Sequence, residues 1–296
     1  MCLVILLFAL FASIFSLQKI SLEYSEPYFL IGFRMIISGL FLFFFESKKS
    51  NTILTIKSAH IGYFFLITIF NIYLNSISEI WSLSKMSSSK ACMLYSLSPF
   101  MTVVLAFFIL KEKLNLNKLF GMVFGFLGLI PMIYVRTYSE ISTGEVLIFS
   151  LSEVILIFSV FFSVLGWIFL KKLINIGYSY IFANAISMFF GGFFILIHSF
   201  FVDDFWIIFP VNNIKLFVFY TVITSIISNL ICYNLFGYLL KYFSTAFMMF
   251  AGLMTPFFAS VFGWLFLNET ITYHYIVSII LFFFGLFIIY NEEMKK

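Results

Sequence analysis

Charge is what this sequence has least of. Asp, Glu, Lys and Arg make up 10% of its 296 residues, against about 25% in an ordinary soluble domain. A water-facing surface for a chain of this length cannot be built from so few. Cysteine is scarce as well. Cys2, Cys92 and Cys232 are odd in number and far apart, which excludes a disulfide framework and a zinc site, so they read as small buried residues. No His/Cys/Asp cluster has metal-ligand spacing. No phosphate loop, nucleophile elbow or pair of catalytic carboxylates appears. Catalysis and ATP hydrolysis by this chain alone are therefore not expected, and no cofactor or metal is. The net charge of +4 is scattered over loops, so nucleic acid is excluded as a partner. Long polar stretches are missing too, which leaves no place for a soluble domain.

What is there is apolar. Hydrophobic residues make up 63% of the chain, and 46 residues are Phe; the phenylalanine excess reads as AT-rich coding bias rather than chemistry. The surplus over the roughly 45–50% of a soluble domain needs lipid. Runs of about 20 apolar residues are long enough to cross the hydrocarbon as helices. They fall near 1–18, 28–45, 60–82, 88–110, 118–135, 145–170, 178–201, 213–238, 243–267 and 273–290. The expected fold class is an all-α integral membrane protein of ten transmembrane helices. Transmembrane β-strands are excluded, because these runs are too long and do not alternate. The first run has neither the basic start nor the A-x-A-like cleavage site of a signal peptide, and reads as a membrane helix whose abrupt start suggests a few missing upstream residues.

One stretch occurs twice. Pro99, Glu112 and Gly128 recur as Pro256, Glu269 and Gly285, all at an offset of 157. Lys19 and Gly39 recur as Lys171 and Gly191 at an offset of 152. Landmarks in register within two apolar segments argue for a duplication, with repeats over 1–138 and 139–296. Each repeat holds five crossings, so the second copy enters the bilayer from the opposite side. Inverted repeats of this kind suit alternating access to a central site. With the amino terminus in the cytoplasm, the inside loops carry 11 Lys and Arg and the outside loops 5. That asymmetry places both termini inside, in the cytoplasmic (inner) membrane.

The run Leu97-Ser98-Pro99-Phe100 … Leu110-Lys111-Glu112-Lys113-Leu114 … Gly121 … Gly125 … Gly128 resembles the EamA-type repeat of the drug/metabolite transporter superfamily. Glu26-Pro27 followed by Arg34 resembles the start of that family's second helix. The second copy departs at Ser278, where the family has Gly, and lacks a basic residue after Glu269. The resemblance implies ten helices around a cavity lined by helices 1–4 and 6–9, and transport of small organic solutes such as amino acids, nucleotide-linked metabolites, S-adenosylmethionine and drugs.

Charged side chains within a span are functional candidates. By the helical rise, Arg34, Glu79 and Glu153 each lie about 9–12 Å beneath one surface. A desolvated guanidinium demands a carboxylate, so Arg34 is expected to meet Glu79 or Glu153, as a binding site, a proton path or a structural pair. Asn71, Asn75 and Glu79 recur every fourth residue, and so do Thr221, Ser225, Asn229 and Tyr233. That spacing puts each set on one helix face, directed at a wet cavity or at each other. Tyr95 is a further neutral contact. Pro99 and Pro256 break their helices at matching points where gates could flex. Gly121 and Gly125 form a G-x-x-x-G that permits close helix contact, more readily within the monomer than between copies. Trp81 and Trp264 read as interfacial anchors.

The reading is a secondary transporter of a small polar or zwitterionic metabolite, amino-acid-like or S-adenosylmethionine-like, working by alternating access. Its partners are the solute, the lipid bilayer and a coupling proton or counter-substrate, in a monomer or homodimer. The alternative is a membrane-embedded lipid-handling enzyme or assembly factor. It would need a reactive cluster at one interface, and the chain offers only Asp203 and Asp204.

Overall fold

A backbone in hydrocarbon must satisfy its own hydrogen bonds, and a helix does so within a single segment. The computed structural model describes residues 1–48, 55–86, 91, 94–111, 120–124, 127, 151–203, 206, 210–267 and 273–293. Among them six helices are long and apolar enough to cross a membrane: α1 (Cys2–Ser21), α2 (Pro27–Ser47), α3 (Ser58–Lys85), α5 (Leu151–Ile176), α6 (Tyr180–Val202) and α7 (Ile214–Leu239). Shorter apolar helices are α4 (Ser98–Leu110), α8 (Thr245–Ala251) and α9 (Thr255–Leu267), and α10 spans Tyr273–Glu293. Among the described residues no strand forms beyond an isolated bridge between Ser25 and Val211. The expected 118–135 span is described only at 120–124 and 127. Glu112, Gly125, Gly128 and Glu269 of the repeated signature lie outside the described residues.

The outward faces are as apolar as the core. Phe108 is 72% exposed and Phe201 78%, a surface that water would penalise and lipid solvates. Inward, the helices close over residues such as Leu7, Ile67, Val160, Val164 and Phe247, which are fully buried.

Two helices run past the ends expected for them, and for the same reason. Lys19 and Lys171 mark the ends of apolar runs, yet α1 and α5 continue beyond them. Each ammonium turns back onto the open end of another helix. Lys19 Nζ donates to the carbonyls of Leu83 at 2.7 Å and Met86 at 2.9 Å. Lys171 Nζ donates to those of Leu240 and of Phe243. A cation there satisfies carbonyls that the terminating helix leaves bare and complements its dipole. Leu83 and Leu240, and Met86 and Phe243, are each 157 positions apart.

Both long helices that receive these lysines contain a widened turn. In α3 it is the π-helical segment Thr68–Leu74; in α7 it is Ser225–Cys232. Such turns shift the face on which later residues emerge. The two prolines of the repeated stretch stand at helix starts. Pro99 is the second residue of α4, just past a turn. Pro256 is the second residue of α9, separated from α8 by the 3₁₀ turn Gly252–Met254.

Helices α2 and α6 touch backbone to backbone. A Cβ on Gly39 would sit 2.6 Å from the Phe189 amide nitrogen, and one on Gly192 2.8 Å from that of Ile36. Asp203, just past α6, completes this seam: its Oδ2 accepts from Phe29 N at 2.9 Å, capping the first turn of α2 from another helix. Gly121 approaches the Gly285 carbonyl of α10 within this chain, where a Cβ would stand 2.8 Å from it.

Candidate functional site

The helices enclose a cavity of about 120 Å³. One water needs ~10–15 Å³ of such space, so this is a chamber rather than a packing defect. It draws on α1, α2, α3, α5, α7, α8 and the starts of α4 and α9 with the breaks before them.

One part of the chamber is charged. Arg34 on α2 is 2% exposed, and Glu79 on α3 lines the same space. The two meet through Gln18 on α1. The orientation of that amide follows from its neighbours: its nitrogen donates to Glu79 Oε1 at 3.2 Å, and its oxygen accepts from Arg34 Nη1 at 3.3 Å and Nη2 at 3.0 Å. Arg34 Nε is buried without a hydrogen-bond partner. On the other side of the carboxylate, the Tyr95 hydroxyl donates to Glu79 Oε2 at 2.7 Å and lies 3.3 Å from Asn75 Oδ1. Ser159 Oγ donates to Asn75 Oδ1 at 2.9 Å. Sequestered charges are tolerated only when their donors and acceptors are met, and this network meets most of them while leaving the guanidinium incompletely satisfied.

Another part is aromatic. Trp167 and Phe236 have ring centroids 4.1 Å apart, and Trp167 and Tyr233 5.1 Å. Phe8 and Phe11 meet Phe236 edge-on, and Phe15 meets Tyr95. Such rings stack on flat solutes and attract cations.

The expected site residues divide. Arg34, Asn75, Glu79, Tyr95 and Tyr233 come together around the cavity. Asn71, Glu153 and Asn229 are buried but do not line it. Asn71 packs against Gly166 of α5, which has no side chain to keep it away. Asn229 points its Nδ2 at Met35 Sδ, 3.0 Å distant. The cause is the widened turns: a stripe of every fourth residue presumes a uniform α-helix, and both Asn71 and Asn229 lie inside π-helical segments. Glu153 sits buried in the first turn of α5. Gln18 is the member that the sequence argument missed. The signal was present: it is the only Gln in the chain and stands inside an apolar run.

The lining repeats with the chain's own period. Ser76 and Tyr233, Glu79 and Phe236, Tyr95 and Gly252, and Ser98 and Thr255 all face the cavity and are 157 positions apart. Phe11 and Ser163, and Phe15 and Trp167, do the same at 152.

Comparison with known proteins follows the same lines. A family model described as "EamA-like transporter family" matches residues 1–134 and 150–291. Curated proteins named S-adenosylmethionine/S-adenosylhomocysteine transporters are similar across the chain. One from Chlamydia trachomatis serovar L2 is 33% identical over 97% of this chain and 88% of its own length. One from Chlamydia muridarum is 32% identical over 97% and 90%. A crystal structure resembles the fold with a TM-score of 0.73 over 99% of this chain and 96% of that one, at 12% identity, a likeness of fold alone.

Proposed function

The chain belongs to the EamA-like transporter family, and from that premise we propose that it exchanges S-adenosylmethionine and S-adenosylhomocysteine across the cytoplasmic membrane. That it is a multi-pass membrane transporter follows from its family and its apolar helices. The choice of solute draws on the names of its relatives and on the cavity. One observation carries it: a single chamber joins a buried cation–carboxylate pair to a cluster of Trp, Tyr and Phe. Arg34 would take the solute's carboxylate, and Glu79 with Tyr95 and Asn75 its ammonium. Trp167, Tyr233 and Phe236 offer stacking to the adenine and cation–π attraction to the sulfonium.

The mechanism proposed is alternating access by two inverted five-helix repeats, over 1–138 and 139–296, with both termini cytoplasmic. The paired lysine caps, widened turns and paired lining residues support this architecture. Pro99 and Pro256, at the breaks beside the cavity, are proposed to flex during gating. A counter-substrate drives the exchange in this scheme, so no proton is required.

The test is counterflow. Purified full-length protein in liposomes loaded with S-adenosylhomocysteine is expected to accumulate external labelled S-adenosylmethionine, and empty liposomes are not. Folded protein that accumulates none, with or without a pH gradient, overturns the assignment of solute.

A further inference from the structure

We propose that Gln18 is a built-in stand-in for an α-amino acid head group: its amide occupies the place of the solute's carboxylate and ammonium between Arg34 and Glu79, and the solute binds by displacing it. The inference rests on the transport reading above and deepens it, by stating which chemical group the charged part of the cavity accepts.

The argument begins with polarity. An α-amino acid presents acceptor oxygens and, three bonds away, a donor nitrogen. A side-chain amide presents the same order over two bonds, a slightly shorter reach between the same two partners. Gln18 turns its oxygen to both Nη atoms of Arg34, at 3.3 and 3.0 Å, and its nitrogen to Glu79 Oε1, at 3.2 Å. It is 4% exposed and lines the cavity. Carboxylate and guanidinium thus have a neutral intermediary where a direct ion pair would otherwise form.

The energetics favour replacement. Two buried charges left bare carry a large desolvation penalty, and the amide relieves it when no solute is bound. Its bonds each involve only one ionised partner. The head group of an amino acid brings a full charge to each contact, and bonds of that kind are shorter and stronger. Arg34 Nε, buried and without a partner, adds a donor that the amide leaves unused. A neutral occupant therefore holds the site open without outcompeting the solute.

Selectivity follows. A solute that carries only one of the two groups displaces the amide and leaves Arg34 or Glu79 unmatched. Sites built on buried polar partners reject analogues that lack a partner far more strongly than apolar pockets reject a methylene.

The experiment measures equilibrium binding of labelled S-adenosylmethionine to the purified full-length protein, with competition by decarboxylated S-adenosylmethionine and by the analogue with a keto group in place of the α-amino group. Both analogues are expected to bind at least roughly tenfold more weakly than the parent. Gln18→Ala removes the rival and is expected to tighten binding by roughly fivefold. Gln18→Glu puts a charged rival against Arg34 and is expected to weaken it. Opposite signs distinguish a stand-in from a residue that merely supports the fold, whose two replacements would both weaken binding. Analogues that bind as well as the parent, or a folded Gln18→Ala protein that binds no more tightly, overturn the proposal. If Gln18→Ala does not fold, the wild-type competition decides alone. Wild-type protein that ignores S-adenosylmethionine but binds another free amino acid, more tightly after Gln18→Ala, sinks the solute assignment and leaves the stand-in. Folded wild-type protein that binds no amino acid at all sinks both.

Discussion

The first 110 residues and those from 151 to 267 contribute to one cavity in different currencies of chemistry. At matched positions the earlier region supplies Glu79 and Tyr95 where the later one supplies Phe236 and Gly252. Arg34 corresponds, at the offset of 152, to Ile186. Both charges of the lining thus come from one side of the comparison, and the other adds Trp167, Tyr233 and Phe236. The scaffold features did not diverge in this way. Lysine caps, widened turns and proline breaks persist in both regions. Backbone devices are thus alike in the two regions while the cavity-lining side chains differ, which in the proposed scheme would suit a solute whose two ends are unlike.

The contrast can be attacked at its strongest point first. Arg34→Ala strands a buried carboxylate and is expected to reduce uptake by at least roughly a hundredfold, whereas Ile186→Ala leaves it within a few-fold; comparable losses from the two would erase the asymmetry. The next test is Glu79→Gln. It keeps the shape and the Tyr95 contact while removing the charge, and is expected to raise the KM for S-adenosylmethionine by about tenfold. Phe236→Leu, its counterpart, changes ring stacking without touching charge, and its effect should fall on the adenine end, read by competition with adenosine.

Smaller effects sharpen the shared half of the comparison. Lys19→Met and Lys171→Met each remove a cation from bare carbonyls, at a cost of about 1–2 kcal/mol by the usual worth of charged hydrogen bonds. Similar drops in thermal unfolding temperature are expected from both, and a drop in only one would count against equivalent roles. Gly62→Ala is the smallest. It lies in α3 with nothing within 4 Å of its would-be Cβ, so a gain of about 0.5–1 kcal/mol from helix propensity is the expected outcome.

Much of this was legible in the chain itself, at the level where physics is simple. Bilayer-length apolar runs located α2, α3, α6 and α7 to within a few residues, because hydrocarbon thickness fixes their length. That Arg34 would need a carboxylate, Glu79 or Glu153, was foreseeable, since a buried guanidinium has few options; that an amide would stand between Arg34 and Glu79 was not. What could not be read was register within a helix. Asn71, Asn75 and Glu79 looked like one stripe, and the π-helical turn separates the first from the others. Nothing in side-chain spacing announces such a turn. Gln18 escaped because the neighbouring Lys19 made that stretch look like a helix end; its partners come from α2 and α3, and only tertiary structure brings them near. Charged residues near run ends misled for a related reason, as Lys171 lies within α5 and is solvated by carbonyls distant in sequence.

The seam between α2 and α6 has a last implication. Gly39 and Gly192 leave the two backbones in direct apposition, with no room at those points for a side chain to change rotamer. Motions in proteins proceed by repacking at interfaces that have two arrangements, and this junction has too little substance for a second one. In the proposed alternating-access scheme it would be the axle, and the moving parts are to be sought at its periphery, where the proline-broken helices end beside the chamber.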